Sequence, residues 1–260
     1  MNNRRSLAAQ RVSLLLPGLV FIAGWIALLE IAAASGWINR AFSPVPSQVA
    51  RQLRGVVTSS AFPEALASTV GLMAAGYLLA CMAGVLVGIA MGYNRRIYAL
   101  LEPTLELLRP IPKPALLPPL ILLFGLGASM KISIVFLGAF FPVLINTIQG
   151  VRAVDPVLID VARTFRCGVF RIVSQVVLPA SLPMILAGMR VSLGLGLVLV
   201  ILAEMLTGSH GLGAQLVDAQ RAFRVHEMYA WTVILAMLGL AFALAFDAFE
   251  RRLIFWSAKR

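Results

Sequence analysis

Four stretches of the chain, residues 14–34, 65–92, 132–148 and 228–246, are apolar almost without interruption. At about 1.5 Å per residue, each is long enough to cross, or nearly cross, the roughly 30 Å of bilayer hydrocarbon as a helix. Only 13% of the 260 residues are charged and mean hydropathy is +0.91, whereas about a quarter of the residues in an ordinary soluble domain are charged. The chain therefore reads as an all-α integral membrane protein. Its length suits one polytopic domain with no room for an added soluble one.

Two further apolar segments are broken. Residues 115–127 are short and carry Pro118 and Pro119; residues 176–206 are long but contain Pro179, Pro183, Arg190 and Glu204. Irregular spans survive in lipid only where neighbouring protein or a watery cavity satisfies the freed backbone groups. Both are expected to face the interior of a bundle, for about six transmembrane helices in all. The first run follows Arg4, Arg5 and Arg11 in the manner of a secretory signal, but it is too long for one and no small-residue cleavage pattern follows it, so it reads as a membrane helix.

Charge orients the spans. With six helices both termini lie on one side, and that side collects sixteen of the twenty-two Lys and Arg residues, leaving six on the other. The positive-inside rule then places the termini and the loop at 151–175 in the cytoplasm. The expected layout is a cytoplasmic tail at 1–13, a membrane domain at 14–250 and a second cytoplasmic tail at 251–260. The net charge of +11 sits in scattered short loops beside anionic headgroups, which suits lipid and gives no reason to invoke nucleic acid.

The loop at 151–175 is the longest cytoplasmic one. Asp155 followed by Pro156 reads as an N-cap and first helical residue, and Gly168 is placed to end the helix about three turns later. Leu158, Ile159, Ala162 and Phe165 form an apolar stripe, with Asp160, Arg163 and Arg166 on the rest of the surface. From periodicity alone this is either a helix resting on the membrane surface or one that meets a partner.

The segment resembles the signature loop of permease subunits of ATP-binding-cassette importers, whose pattern is Glu-Ala-Ala, three residues, Gly, nine residues, then Ile-x-Leu-Pro. Here it reads Asp160-Val161-Ala162, three residues, Arg166, nine residues, Val176-Val177-Leu178-Pro179. Arg166 stands where the family has glycine, with Gly168 two positions later; the spacing from Asp160 to Pro179 is intact. The likeness covers most of the chain and is greatest to the nitrate, sulfonate and taurine branch, whose blocks are similar to FSPVPSQV (42–49), LLRPIPKPALLPPLILLFGLG (107–127), AFFPVLINTIQGVRAVDP (139–156) and LPASLPMILAGMRVSLGLGLVLVILAEML (178–206).

The resemblance implies a type I importer permease core preceded by one extra helix, in a bacterial inner membrane. It implies a pair of permease copies, bound to cytoplasmic ATPase subunits and to an external solute-binding protein. The solute is expected to be a small anion such as nitrate, a sulfonate or taurine. Asp160, Val161, Ala162, Arg163, Arg166, Gly168, Leu178 and Pro179 would belong to the loop that couples to the ATPase, with Asp160, Ala162, Arg163 and Gly168 at the contact. A helix beginning at Pro179 would carry the movement inward. No Gly-x4-Gly-Lys-Ser/Thr pattern occurs in the sequence, so ATP would be used by the partner and this chain would bind no cofactor.

Other residues are read structurally. Gly84, Gly88 and Gly92 make a small-residue face for close helix packing. Glu204 and Arg190 invite a role as solute ligands because charges in spans are usually functional. Their expected positions near opposite membrane faces favour structural or interfacial roles. Glu30 is expected at headgroup level, Asn146 and Gln149 near a loop, and His210 and His226 in an outer loop without partners at ligand spacing. Cys81 and Cys167 lie too far apart to suggest a disulfide or metal site. A stand-alone secondary transporter would show inverted repeats and coupling-ion carboxylates, and an intramembrane enzyme a nucleophile or metal cluster; the sequence displays neither.

Overall fold

The computed structural model describes residues 3–254 of the chain, and no strand occurs among them. The outermost parts of the two expected tails, 1–2 and 255–260, lie outside the described residues. The helices are α1 (Asn3–Ala34), α2 (Pro46–Val57), α3 (Ala61–Tyr93), α4 (Arg95–Leu108), α5 (Leu117–Phe124), α6 (Ala128–Arg152), α7 (Pro156–Thr164), α8 (Val169–Ile172), α9 (Leu178–Thr207), α10 (Leu212–Arg221) and α11 (Val225–Leu253).

Four helical stretches are long and apolar enough to cross a membrane: Ala61–Tyr93, Ala128–Arg152, Val169–Thr207 and Val225–Leu253. In α1 the apolar part among described side chains is Val20–Ala34. The segment expected as a short span at 115–127 is one arm of a bent pair, Arg95–Leu108 and Lys113–Phe124, which meet at 86°. The two prolines that marked it start α5, which at eight residues is far too short to cross alone. Helices α2, α4 and α10 had no counterpart among the expected spans. They are short and polar on one side, so they stay below any test based on long apolar runs.

The chain forms two compact units, one comprising the residues up to Phe62 with Leu216–Ile234, the other Pro63–Gln215 with Leu235 onward. In the first, the Glu30 carboxylate accepts from the Ser47 backbone N–H (3.1 Å) and hydroxyl (2.8 Å), and so caps the start of α2. Arg40 Nε donates to the Ala33 carbonyl at 2.7 Å, satisfying an acceptor at the end of α1. Phe62 packs beside the buried Trp231, with ring centroids 6.3 Å apart.

The second unit is organised around α6. A stripe of small residues on α3, Gly76, Ala80, Gly84, Gly88 and Gly92, recurs every fourth position, and its glycines lie against Val135, Val143, Thr147 and Val151 of α6. A Cβ added at Gly88 or Gly92 would fall 2.6 Å from the Thr147 or Val151 Cβ. Glycine here is required by backbone approach, as expected for helices that associate without a hydrophobic driving force. On another side of α6, Met130 and Ile134 pack with Leu117 and Leu120 of α5 and with Leu199 and Ala203 of α9. Each facing helix thus has its own row of contacts on one central element.

The path into α9 differs from expectation. Helix starts at Val169, ten positions before Pro179, and runs through a π turn at Val173–Val177 into α9. Proline has no N–H to give to the preceding turn, and a π turn is one way a helix absorbs such a break. Val169–Thr207 is consequently one helical stretch of 39 residues.

Candidate functional site

Asp155 starts α7 as read from sequence: its carboxylate accepts from the Val157 N–H at 2.9 Å, and Pro156 occupies the first turn, where no N–H is needed. The end of the helix is not at Gly168. It lies at Thr164, and the residue that turns the chain is Arg166, with φ +55°. Its N–H donates to the Arg163 carbonyl (2.8 Å) and the Cys167 N–H donates to the Ala162 carbonyl (3.1 Å). This pair of bonds is the Schellman closure, whose pivot position favours glycine because a left-handed backbone penalises any Cβ. Arg166 therefore holds the glycine conformation of the signature pattern without being glycine, whereas Gly168 has φ −68° and caps the start of α8.

Packing divides the expected stripe. Ile159 and Ala162 turn inward, against a cluster of Val151, Val154, Ile172 and Val177. Ala162 is buried, so its small size lets α7 lie close on the ends of α6 and the π turn. Leu158 and Phe165 point the other way. With Val157 and Val161 they form an exposed apolar face, Phe165 being 78% exposed. Beside it Arg163 pairs with Asp160 at 3.0 Å, an i,i+3 contact in which both side chains are more than half exposed and which adds little stability. Leu178 and Pro179 are half-buried where the π turn joins α9. The structure thus joins Ala162 to the π turn through one apolar cluster and leaves Asp160, Val161, Arg163 and Arg166 at the surface.

At the other end of α9 Glu204 is fully buried. Its carboxylate accepts from the Thr69 hydroxyl (2.9 and 3.0 Å) and the Gly213 N–H (3.0 Å), while Thr69 Oγ1 accepts from the Leu212 N–H (2.9 Å). Lys131, 3% exposed, donates to the Ser209 carbonyl (2.8 Å) and hydroxyl (3.2 Å) and to the His210 carbonyl (3.2 Å). The turn at 207–213 is thereby fastened to α3, α6 and α9. Gly211, at φ +132°, passes so close that a Cβ would overlap the Glu204 carboxylate. Buried polar groups must find partners, and here the backbone of the turn supplies them. Glu204 accordingly has a structural place. Sequence reading missed Thr69 and Lys131 as its neighbours; the Gly211-Leu212-Gly213 spacing after Glu204 was the available signal.

Arg190 also has partners in its own chain, Asp247 Oδ1 at 2.6 Å and Glu250 Oε2, which tie α9 to α11. Asn146 lies within α6 and its Nδ2 donates to the Pro142 carbonyl at 2.8 Å. No group of three or more metal-ligating side chains is found among the described residues.

The family described as binding-protein-dependent transport system inner membrane component matches residues 76–255. The chain is 34% identical, over 92% of its length and 87% of the relative's, to SsuC of Bacillus subtilis, a protein named for aliphatic sulfonates transport. It is 31% identical to the taurine transport system permease protein TauC of Escherichia coli, over 84% of this chain and 82% of that one. It is 33% identical to the bicarbonate transport system permease protein CmpB of Synechococcus elongatus, over 72% and 67%. Among solved structures, an inward-facing form of the MetNI methionine ABC transporter aligns with TM-score 0.61 at 21% identity, covering 72% of this chain and 93% of that one. That likeness shows a shared fold.

Proposed function

Since the chain belongs to the binding-protein-dependent transport inner membrane components, multi-pass membrane proteins of ATP-binding-cassette importers, we propose that it is the permease subunit through which a small anion enters the cell. The relatives named for sulfonates, taurine and bicarbonate support that solute class. A pair of permease copies forms the pathway, a separate ATPase binds on the cytoplasmic side, and an external binding protein delivers the solute. The termini and α7 face the cytoplasm, as the excess of basic residues on that side suggests. Hydrolysis occurs on the partner, with ATP bound there and not on this chain. Family membership disfavours a stand-alone secondary transporter.

The observation that carries the reading is the two-sided character of α7. Its inward face is anchored by Ala162 to the π turn, and its outward face leaves Val157, Leu158, Val161 and Phe165 exposed among the described residues. A helix held this way can be gripped from outside and pass the displacement into the continuous Val169–Thr207 helix as a rigid body. Alternating access then follows ATPase closure.

Phe165→Asp tests this. Phe165 makes little use of the chain's own core, so the variant inserts and folds, while the ATPase loses an apolar contact of roughly 1.5–3 kcal/mol, or about ten- to 150-fold in affinity. Co-purification and ATP-driven uptake in proteoliposomes read the result. Undiminished ATPase binding and uptake would show that this face of α7 is not the docking surface.

A further inference from the structure

The 86° bend between α4 and α5 brings two cations to the middle of α6. Arg109 and Lys113 line a cavity of about 360 Å³ whose other walls are Gly138, Phe141, Pro142, Ile145, Asn146 and Leu195. No carboxylate lines it. Lys113 Nζ sits 4.2 Å from the centre of the Phe141 ring and donates to the Leu108 and Arg109 carbonyls, at 2.9 and 3.4 Å; an ammonium has three donors, so one remains. The charge on Lys113 meets no acidic partner among the described residues. Arg109 has only Glu106, at 3.6 Å, with both side chains more than half exposed, and such a pair neutralises little.

The adjoining cavity of about 240 Å³ makes the contrast. It is lined by Glu102 and Glu106 as well as Arg109 and Arg152, with Arg152 stacked 3.6 Å from the Tyr98 ring centre and Tyr98 bonded to Glu102. There Glu102 and Glu106 stand against Arg152 and the shared Arg109. The cavity at the middle of α6 is lined by Lys113 and Arg109 and by no carboxylate, and a positive charge within a span that lacks an acidic partner is by default a candidate for ligand binding.

We propose that this cavity is an oxoanion subsite on the solute's route, with the Arg109 guanidinium and Lys113 ammonium binding the charged oxygens and Asn146 lending a neutral polar contact. A guanidinium fork matches the paired oxygens of a sulfonate, sulfate or bicarbonate, and the volume lies within the roughly 300–1,000 Å³ usual for small-molecule sites. The placing of the subsite on a route rests on the transport reading above; its affinity for anions does not. The same chemistry could be met by the headgroup of an anionic lipid, and the subsite is assigned to the soluble anion.

The experiment measures equilibrium binding of radiolabelled ethanesulfonate to the purified permease–ATPase complex in phosphatidylcholine nanodiscs, with ethylammonium as the cationic control. Saturable binding is expected, displaced by sulfate and not by ethylammonium. It weakens about tenfold or more in Arg109→Gln, the loss of one charge-assisted contact, and less in Arg109→Lys. Arg109 is exposed and ties down no core, so these variants fold even if Lys113→Gln, which also uncaps α4, does not. Absent saturable binding, or equal binding in Arg109→Gln, overturns the subsite while leaving the transport reading intact. Binding of phosphatidylglycerol that depends on Arg109, with no ethanesulfonate binding in phosphatidylcholine, makes it a lipid site and also overturns it. Failure to assemble with any ATPase sinks the transport reading and the route with it.

Discussion

Replacing Arg166 by glycine should stabilise the turn that closes α7. Arg166 sits at φ +55°, where an L side chain is penalised by roughly 1–2 kcal/mol. Glycine removes that penalty but adds unfolded-state freedom of about 0.5–1 kcal/mol. The side chain itself is exposed, so little packing is lost. A net gain of about 0.5–1 kcal/mol remains, and the two bonds that close α7, from the Arg166 and Cys167 N–H groups, should hold more tightly. Hydrogen exchange at those two amides should slow about two- to fivefold, and the melting temperature should rise by at most about 4 °C. Arg166→Val is the counterpart. A β-branched residue is a true outlier at positive φ, so it should lose roughly 1–3 kcal/mol relative to arginine. If glycine exchanges faster than arginine at 166, or valine is tolerated as well as glycine, the backbone strain assigned to this position is absent.

Glu204→Leu should destabilise the second unit by roughly 2–6 kcal/mol, because the Thr69 hydroxyl and Gly213 N–H lose their acceptor while buried, at about 1–3 kcal/mol each. Glu204→Gln keeps an acceptor and should cost clearly less; thermal unfolding in nanodiscs compares the two, and equal melting temperatures would remove the carboxylate from the structural role given to it. For topology, native Cys167, half-buried in the loop after α7, should react with an impermeant thiol reagent only after the membrane is opened. A cysteine at the exposed Gln220, with Cys81 and Cys167 replaced, should react from outside, and the reverse pattern would invert the orientation.

The long apolar runs were legible in the sequence because hydrocarbon imposes a length and a composition that no other solvent does. The same holds for α7, where Asp155 and Pro156 are local capping chemistry that acts within one turn. The conformation of Arg166 was half legible: the resemblance to the signature loop marked its position as one where the family has glycine, but only the folded loop shows that arginine adopts that backbone rather than passing the turn to Gly168. Helix α5 and the π turn were not legible, since prolines announce a break without saying whether the chain bends by 86° or winds on as one helix. Which charges are shared was hidden for a different reason. Thr69 and Glu204 are 135 positions apart, and Arg190 is 60 from Glu250. Local pattern carries no information about such pairs. Their meeting is decided by close approach of helices, Gly88 on Thr147 and Gly211 around Glu204, where the absence of a side chain on one element sets how near another may come and therefore which polar groups can satisfy each other away from water.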